Sequence, residues 1–342
     1  MFRRDVPASG PVSHGVRSRS AVSQSQTLCA PVPEGAPVPE GAPDGAPRAV
    51  PPDAAELAAL HGLTVSNARP ALPAYVRQLW DRRHFIGAFA TAKLTAQYSQ
   101  AKLGQIWQVM TPLLNAAVYF LIFGLLLGTS RGIDDFVPFL VTGVFVFTFT
   151  QSSVMAGTRA ISGNLGLVRA LHFPRAALPI AFSLQQLQQL LFSMGALAVI
   201  LLCFGVPPAW SWFLVVPALA LQFLFNTGLA MVMARLGSRT PDLAQLMPFV
   251  MRTWMYASGV MFSIKNVLPE HGVPQFAKVL LECNPAAAYI DLVRYALIDS
   301  FDAGQLPYGV GVMWALALGW AVVLGVGGFV YFWKAEESYG RG

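Results

Sequence analysis

From residue 107 onward the chain alternates long apolar runs with short polar loops. Six runs are long enough to cross a hydrocarbon core of ~30 Å, which takes about 20 helical residues. They are 107–128, 136–156, 178–204, 211–234, 243–262 and 308–332. Ahead of them, in 72–105, Leu72, Val76, Leu79, Phe85, Ile86, Phe89, Leu94, Tyr98 and Leu103 recur at roughly helical spacing. Arg77, Arg82, Arg83, Lys93 and Lys102 fall between them. A basic amphipathic helix of this kind lies in a membrane interface. Gly104 then lets the chain turn into the bilayer. Two short amphipathic helices at 275–282 and 286–297, separated by Asn284-Pro285, are too short and too charged to span. The pattern predicts an all-α polytopic membrane protein.

Composition agrees. Hydrophobic residues make up 55% and charged residues 12%, with mean hydropathy +0.52, whereas soluble domains carry about 25% charge. Residues 1–70 form a tail. Its segment APVPEGAPVPEGAPDGAP nearly repeats itself. It has too little apolar surface to offset its ordering entropy, so disorder is expected, with at most a weak helical turn at 53–61. The opening MFRRDVPASG has no apolar core of signal-peptide type.

Charge sets the orientation. The loop 158–177 carries Arg159, Arg169, His172 and Arg175 and no acid, and Arg235 and Arg239 follow the fourth run. Basic loops face the cytoplasm. The loop 129–135, the uncharged link GVPPAWS and the acidic stretch 263–306 suit the outside. Both termini are therefore expected in the cytoplasm, with Tyr331, Trp333 and Lys334 as an interfacial anchor. The net charge of +6 lies on one side of the membrane and does not imply nucleic acid. Within 158–177, residues 164–171 can form a short helix that Phe173-Pro174 stops. On charge alone, this helix either docks a soluble partner or only sets orientation.

Several residues carry candidate chemistry. Cys29, Cys203 and Cys283 lack metal-ligand spacing. Cys203 and Cys283 near the outer face are read as free thiols, with a disulfide as the alternative. No G-x-x-x-x-G-K-[ST] occurs, so the chain has no phosphate cradle for ATP. A membrane-embedded transferase would need His, Asp and Glu clustered at one face, but His61, His84, His172 and His271 are scattered. Asn115, the pair Gln185 and Gln189, and the pair Gln222 and Asn226 either bond between helices or line a channel. Arg252 lies about ten residues into the fifth run, near mid-bilayer at 1.5 Å per residue. A buried arginine is costly unless it meets water or an anion, and its fork of donors suits phosphate. The alternatives are a place at the interface or a pairing with a neighbouring helix. Trp107, Tyr119, Trp254 and Tyr256 either stack on sugars or belong to interfacial belts.

The stretch AKLTAQYSQAKLGQIWQVMTPLL at 92–114 resembles the entry signature of ABC-2 type permeases, R-D-L-K-x-R-Y-x-x-S-x-L-G-x-L-W-x-x-x-x-P. It is most similar to the branch exporting lipid-linked polysaccharides, O-antigens and teichoic acids. Leu94, Tyr98, Leu103, Gly104, Trp107 and Pro112 match. Ala92, Lys93, Gln97 and Ala101 depart, so the interfacial Arg-Asp pair is missing. NLGLVRALHFPRAAL at 164–178 resembles the coupling-helix loop of that family. Arg239 to Leu243 resembles its R-x-x-D-L. Ser258-Gly259-Val260 stands where many members have Ser-Pro-Val, and Asn284-Pro285 with Arg294 resembles the re-entrant gate helices. The matches keep their order over about 72–335.

The resemblance implies a permease subunit in the bacterial inner membrane, itself not an enzyme. It implies a homodimer around a channel and two copies of a separate ATPase subunit that holds ATP and Mg. The cargo would be a polyprenyl-linked glycan, or, as the alternative, a drug, antibiotic or small lipid. Asn164, Leu167, Arg169, Phe173, Pro174 and Arg175 would couple to the ATPase. Tyr98, Leu103, Gly104 and Trp107 would belong to the interface helix. Ser258, Gly259, Asn284, Pro285 and Arg294 would form the outer gate. Arg252, Gln185, Gln189, Trp254 and Tyr256 are the channel candidates.

Overall fold

The structure, a computed structural model, describes residues 70–99, 102–126, 135–170, 173–265 and 274–339. The tail through residue 69, Cys29, most of the loop 129–135, His172 and residues 266–273 lie outside the described residues. Every regular element described is a helix, and five are long and apolar enough to cross a membrane. The protein is a multi-pass α-helical membrane protein.

In place of one interfacial helix, the chain forms α1 (Leu72–Asp81) and α2 (Arg83–Tyr98), broken at Arg82. Gly104 adopts φ +52, a region open to glycine at no steric cost. A short turn there leads into α3 (Trp107–Tyr119), continued by wide turns over Phe120–Leu126. The next helix, α4 (Phe136–Thr158), is apolar on every side, as FVPFLVTGVFVFTFT dictates. A helix without a polar face belongs in the middle, and α4 is the most buried candidate span. After it come the short α5 (Leu165–Ala170), then α6 (Ala177–Cys203) and α7 (Val215–Arg239). They are followed by α8 (Leu243–Tyr256), α9 (Gln275–Glu282), α10 (Pro285–Leu297) and α11 (Val310–Trp333). Helices α3, α6, α7, α8 and α10 all pack on α4.

Lipid tails give helices no hydrophobic reason to associate, so small residues and polar bonds hold such bundles. Gly228 of α7 lies backbone to backbone against Leu324 and Gly328 of α11. Gly157 of α4 meets Ala230 of α7 in the same way. Gln222 of α7 donates to the Val146 carbonyl at 2.9 Å and to Thr150 Oγ1 at 3.0 Å.

One element differs from expectation. The fifth run stops being helix at Tyr256, because the chain turns at Ala257–Gly259 with Gly259 at φ +63. Helix α10 is buried over almost all its length. Its two charges, Asp291 and Arg294, pair with each other at 3.3 Å.

Helix α2 packs along α6. Ile86 packs with Ala177 and Ala181, and Phe89 meets Phe182. Thr91 accepts from Gln188, Gln97 from Gln185, and Tyr98 from Gln189. Helices α2 and α6 thus run side by side from Ala177 to Gln189, about 18 Å at 1.5 Å per residue.

Candidate functional site

Three places hold residues with functional potential. The first is the turn after α8. Turning inside an apolar bundle leaves backbone carbonyls without helical partners, and each must be satisfied from within the protein. Two side chains of the α9–α10 region do this. Asn284 Nδ2 donates to the Ala257 carbonyl at 3.0 Å and to Ser258 Oγ at 3.1 Å. Its Oδ1 accepts from Trp254 Nε1 at 2.9 Å and from the Ala286 N–H at 3.1 Å, capping α10 where Pro285 begins it. Arg294 donates to the carbonyls of Phe139 (3.2 Å), Gly259 (2.9 Å) and Val260 (2.8 Å). Its guanidinium carbon lies 3.3 Å from the centre of the Phe139 ring. Gly143 leaves room for it, since a Cβ there would sit 2.5 Å from Nη2. Ser258, Gly259, Asn284, Pro285 and Arg294 are thus brought together as one bonded unit. Trp254 belongs to it as well, turned inward edge-on to Phe147.

The second place is the exposed face of α8. Met247, Met251 and Met255, spaced by four, anchor the helix to the bundle. On the other side Gln245, Phe249, Arg252 and Tyr256 form an exposed stripe. From α3, Thr111 and Asn115 are likewise exposed, and the Tyr119 phenol is within electrostatic reach of Tyr256 and Arg252. A cation, two phenols and amides on adjoining open faces can hydrogen-bond a polar or anionic molecule. Gln185 and Gln189 are not on this face, because their amides are used on Gln97 and Tyr98 of α2. Trp107 is exposed at the start of α3, and Leu103 just before it.

The third place is the end of the molecule that holds α5. Leu165, Gly166, Arg169 and Ala170 are exposed, while Val168 is buried and Leu167 packs inward. Asn164 donates to the Ala160 carbonyl at 2.9 Å and ties the loop back on itself. Phe173 packs on Phe85 of α2, and Pro174 is buried. Arg175 is buried too. Its N–H donates to Glu336 Oε1 at 2.9 Å and its guanidinium donates to the Glu336 carbonyl. Tyr75 of α1 donates to Glu336 Oε2 at 2.8 Å and accepts from the Ala176 N–H at 3.0 Å. Of the residues assigned to coupling by resemblance, Arg169 alone lies on the exposed surface of this loop.

Sequence reasoning missed Tyr75 and Glu336. The available signal was Glu336-Glu337, two adjacent acids shortly after the last apolar run on a side with net positive charge.

Burial pushes the Glu336 carboxyl above the ordinary glutamate range, against the Arg175 N–H, the Tyr75 hydroxyl and the Arg175 charge. A raised value in the folded state means that folding favours the protonated form. The contribution to stability is therefore full below the ordinary glutamate value and is lost as pH rises through the raised one. Glu336→Gln removes that dependence. The melting temperature of the unmodified protein is expected to fall relative to the variant's as pH rises across this window. Thermal unfolding in detergent at stepped pH measures it, and parallel curves would refute it.

Comparison with known proteins adds to these surfaces. The ABC-2 type transporter family model matches residues 86–298. An O-antigen export system permease protein RfbA from Myxococcus xanthus is 24% identical over 262 residues, covering 77% of this chain and 96% of that protein. A protein of the same description from Klebsiella pneumoniae is 26% identical over 216 residues, covering 63% of this chain and 79% of its own.

Proposed function

The chain belongs to the ABC-2 type transporter family, and on that premise we propose that it is the permease subunit of an exporter for a lipid-linked cell-envelope polysaccharide. The cargo class is a polyprenyl-linked glycan of galactan, teichoic acid or O-antigen type. The description of its relatives as O-antigen export permeases supports that cargo. Two copies of the chain enclose the path in the inner membrane, with both termini in the cytoplasm. Two copies of a separate ATPase bind ATP and Mg and drive the cycle. Helix α8 and the turn after it make the fifth of six passages through the bilayer.

The observation that carries this reading is the α8 stripe. Arg252 is exposed about 14 Å along a helix packed by its methionine side on an apolar bundle. A charge at such depth marks a substrate pathway unless it is buried against a partner. Arg252 receives the phosphate link between lipid and glycan, and Tyr256 and Tyr119 flank it. The exposed side of α5 is where the ATPase docks, and the bonded turn between α8 and α10 gates the outer exit.

Purification of the tagged chain from native membranes tests the reading, together with depletion of the chain in cells. A soluble Walker-type ATPase is expected to co-purify, and lipid-linked glycan is expected to build up in the inner leaflet. ATPase without glycan build-up would transfer the reading to a drug or small-lipid cargo. Absence of an ATPase would remove the permease reading itself. In the assembled complex, Arg252→Gln is expected to slow export about tenfold, the loss of one charge-assisted contact. Export at the unmodified rate would exclude Arg252 from the path.

A further inference from the structure

The buried cluster around Glu336 joins three parts of the chain that are far apart in sequence. Tyr75 lies on α1, Arg175 and Ala176 lie between α5 and α6, and Glu336 lies just past α11. Both carboxylate oxygens of Glu336 are used: Oε2 accepts from Tyr75 and Oε1 from the Arg175 N–H. Its own carbonyl accepts from the Arg175 guanidinium. The Tyr75 hydroxyl closes the ring by accepting from the Ala176 N–H. No member can move alone without leaving a buried polar group unmatched. The apolar surround is equally shared. Tyr75 packs near Phe329 of α11, and Tyr339 stacks on Phe332 at 4.6 Å. Val168 of α5 is buried in the same apolar cluster as Tyr75, Phe332 and Tyr339.

The short α5 therefore rests on a node that reaches α1, α6 and α11 at once. The connection continues upward. Helix α2 is bonded to α6 as far as Gln189. Displacing α5 therefore disturbs contacts shared with the α1–α2 pair and the last helix.

The geometry points to Glu336 and Tyr75 as positioning residues that convert movement of the α5 loop into movement of α1–α2 and α11, so that the segment after the last helix is part of the coupling apparatus. This rests on the reading of α5 as the ATPase dock. Arg175 serves the node from inside, its side chain turned to the C-terminal segment and away from any docking partner.

The test uses the complex with its ATPase, reconstituted in liposomes with the lipid-linked glycan. Three quantities are read for each variant: ATPase retained, ATP hydrolysed, and glycan exported per ATP. Tyr75→Phe keeps the ring on Phe329 but loses the hydroxyl. Glu336→Ala loses both acceptors. Both are expected to retain ATPase binding and hydrolysis, while export per ATP falls about tenfold, the scale of a lost charge-assisted bond in a buried site. Glu336→Gln keeps an acceptor for the Arg175 N–H and should lie between. The double variant Tyr75→Phe/Glu336→Ala should be no worse than Glu336→Ala, because the two act as one unit. Should Glu336→Ala fail to assemble, Tyr75→Phe carries the test.

Unchanged export per ATP in Tyr75→Phe and Glu336→Gln overturns the proposal. So does a loss of export that merely follows a loss of bound ATPase. If the unmodified chain binds no ATPase, it is the functional reading that fails, and the two failures are thereby distinct.

Discussion

Arg294→Leu is expected to leave almost no monodisperse protein after extraction from the membrane. Arg294 is 1% exposed and holds three backbone carbonyls, two of them in the turn after α8. Leucine fills much of the volume but donates nothing. Each orphaned carbonyl costs about 1–3 kcal/mol. Asp291 would also lose the guanidinium at 3.3 Å, and breaking a buried pair from one side costs about 3–5 kcal/mol. The sum exceeds about 5 kcal/mol, against a total stability of roughly 5–15 kcal/mol for a typical domain. Arg294→Lys keeps a charge for Asp291, but a compact ammonium on a flexible stem cannot span Phe139, Gly259 and Val260 together. It should fall between. Gly143→Ala should act in the same direction and less strongly, by crowding Nη2. Size-exclusion profiles and melting temperatures in detergent measure all three. A leucine variant that melts with the unmodified protein would show that the turn finds its partners elsewhere.

That prediction also marks what spacing alone reveals. The apolar runs are legible because about 20 such residues have few stable solutions other than a membrane helix. The short helices at 275–282 and 285–297 show themselves through Asn284-Pro285, a cap followed by proline at the first helical position. The end of the fifth helix at Tyr256 is less legible. It depends on carbonyls satisfied by side chains some 30 residues later, and a linear pattern carries no record of that partnership. By charge alone Arg294 is one of eight charges in the stretch 263–306, whereas in the fold it is the centre of a buried network.

Arg175 illustrates the same limit. In a basic loop it contributes to the orientation signal, and orientation needs only its charge. Its side chain is nevertheless bound to a residue 161 positions away. The glutamines of α6 are another case. Polar residues on a span either bond between helices or face a channel, and periodicity cannot choose between the two. Gln185 and Gln189 meet α2 only because α2 rises along α6, which its amphipathic spacing does not require. Arg252 differs because α8 presents it on the side opposite three methionines, a division already present in the order of its residues.

Gly228→Ala is expected to destabilise the protein where the same change at Gly327 does not. Alanine is the better helix former by about 1 kcal/mol, so a free glycine in a helix should gain from the exchange. Gly327 is free in this sense, since a Cβ there would meet nothing within 4 Å. At Gly228 the added carbon would overlap the backbone of Leu324 and Gly325 on α11. A backbone cannot rotate away as a side chain can, so the two helices must separate. Helix α7 has nowhere to go, because Ala230 is already against Gly157 of α4 and Gly237 against the carbonyl of Thr158. Overpacking a fitted site costs about 1–3 kcal/mol, and a contact closed on both sides belongs at the upper end. Larger residues at 228 should abolish assembly. The sign is the test: melting temperature should fall for Gly228→Ala and hold or rise for Gly327→Ala. Equal responses would mean that the close approach of α7 and α11 does not hold the bundle, and that polar bonds such as Gln222 to Val146 hold it instead.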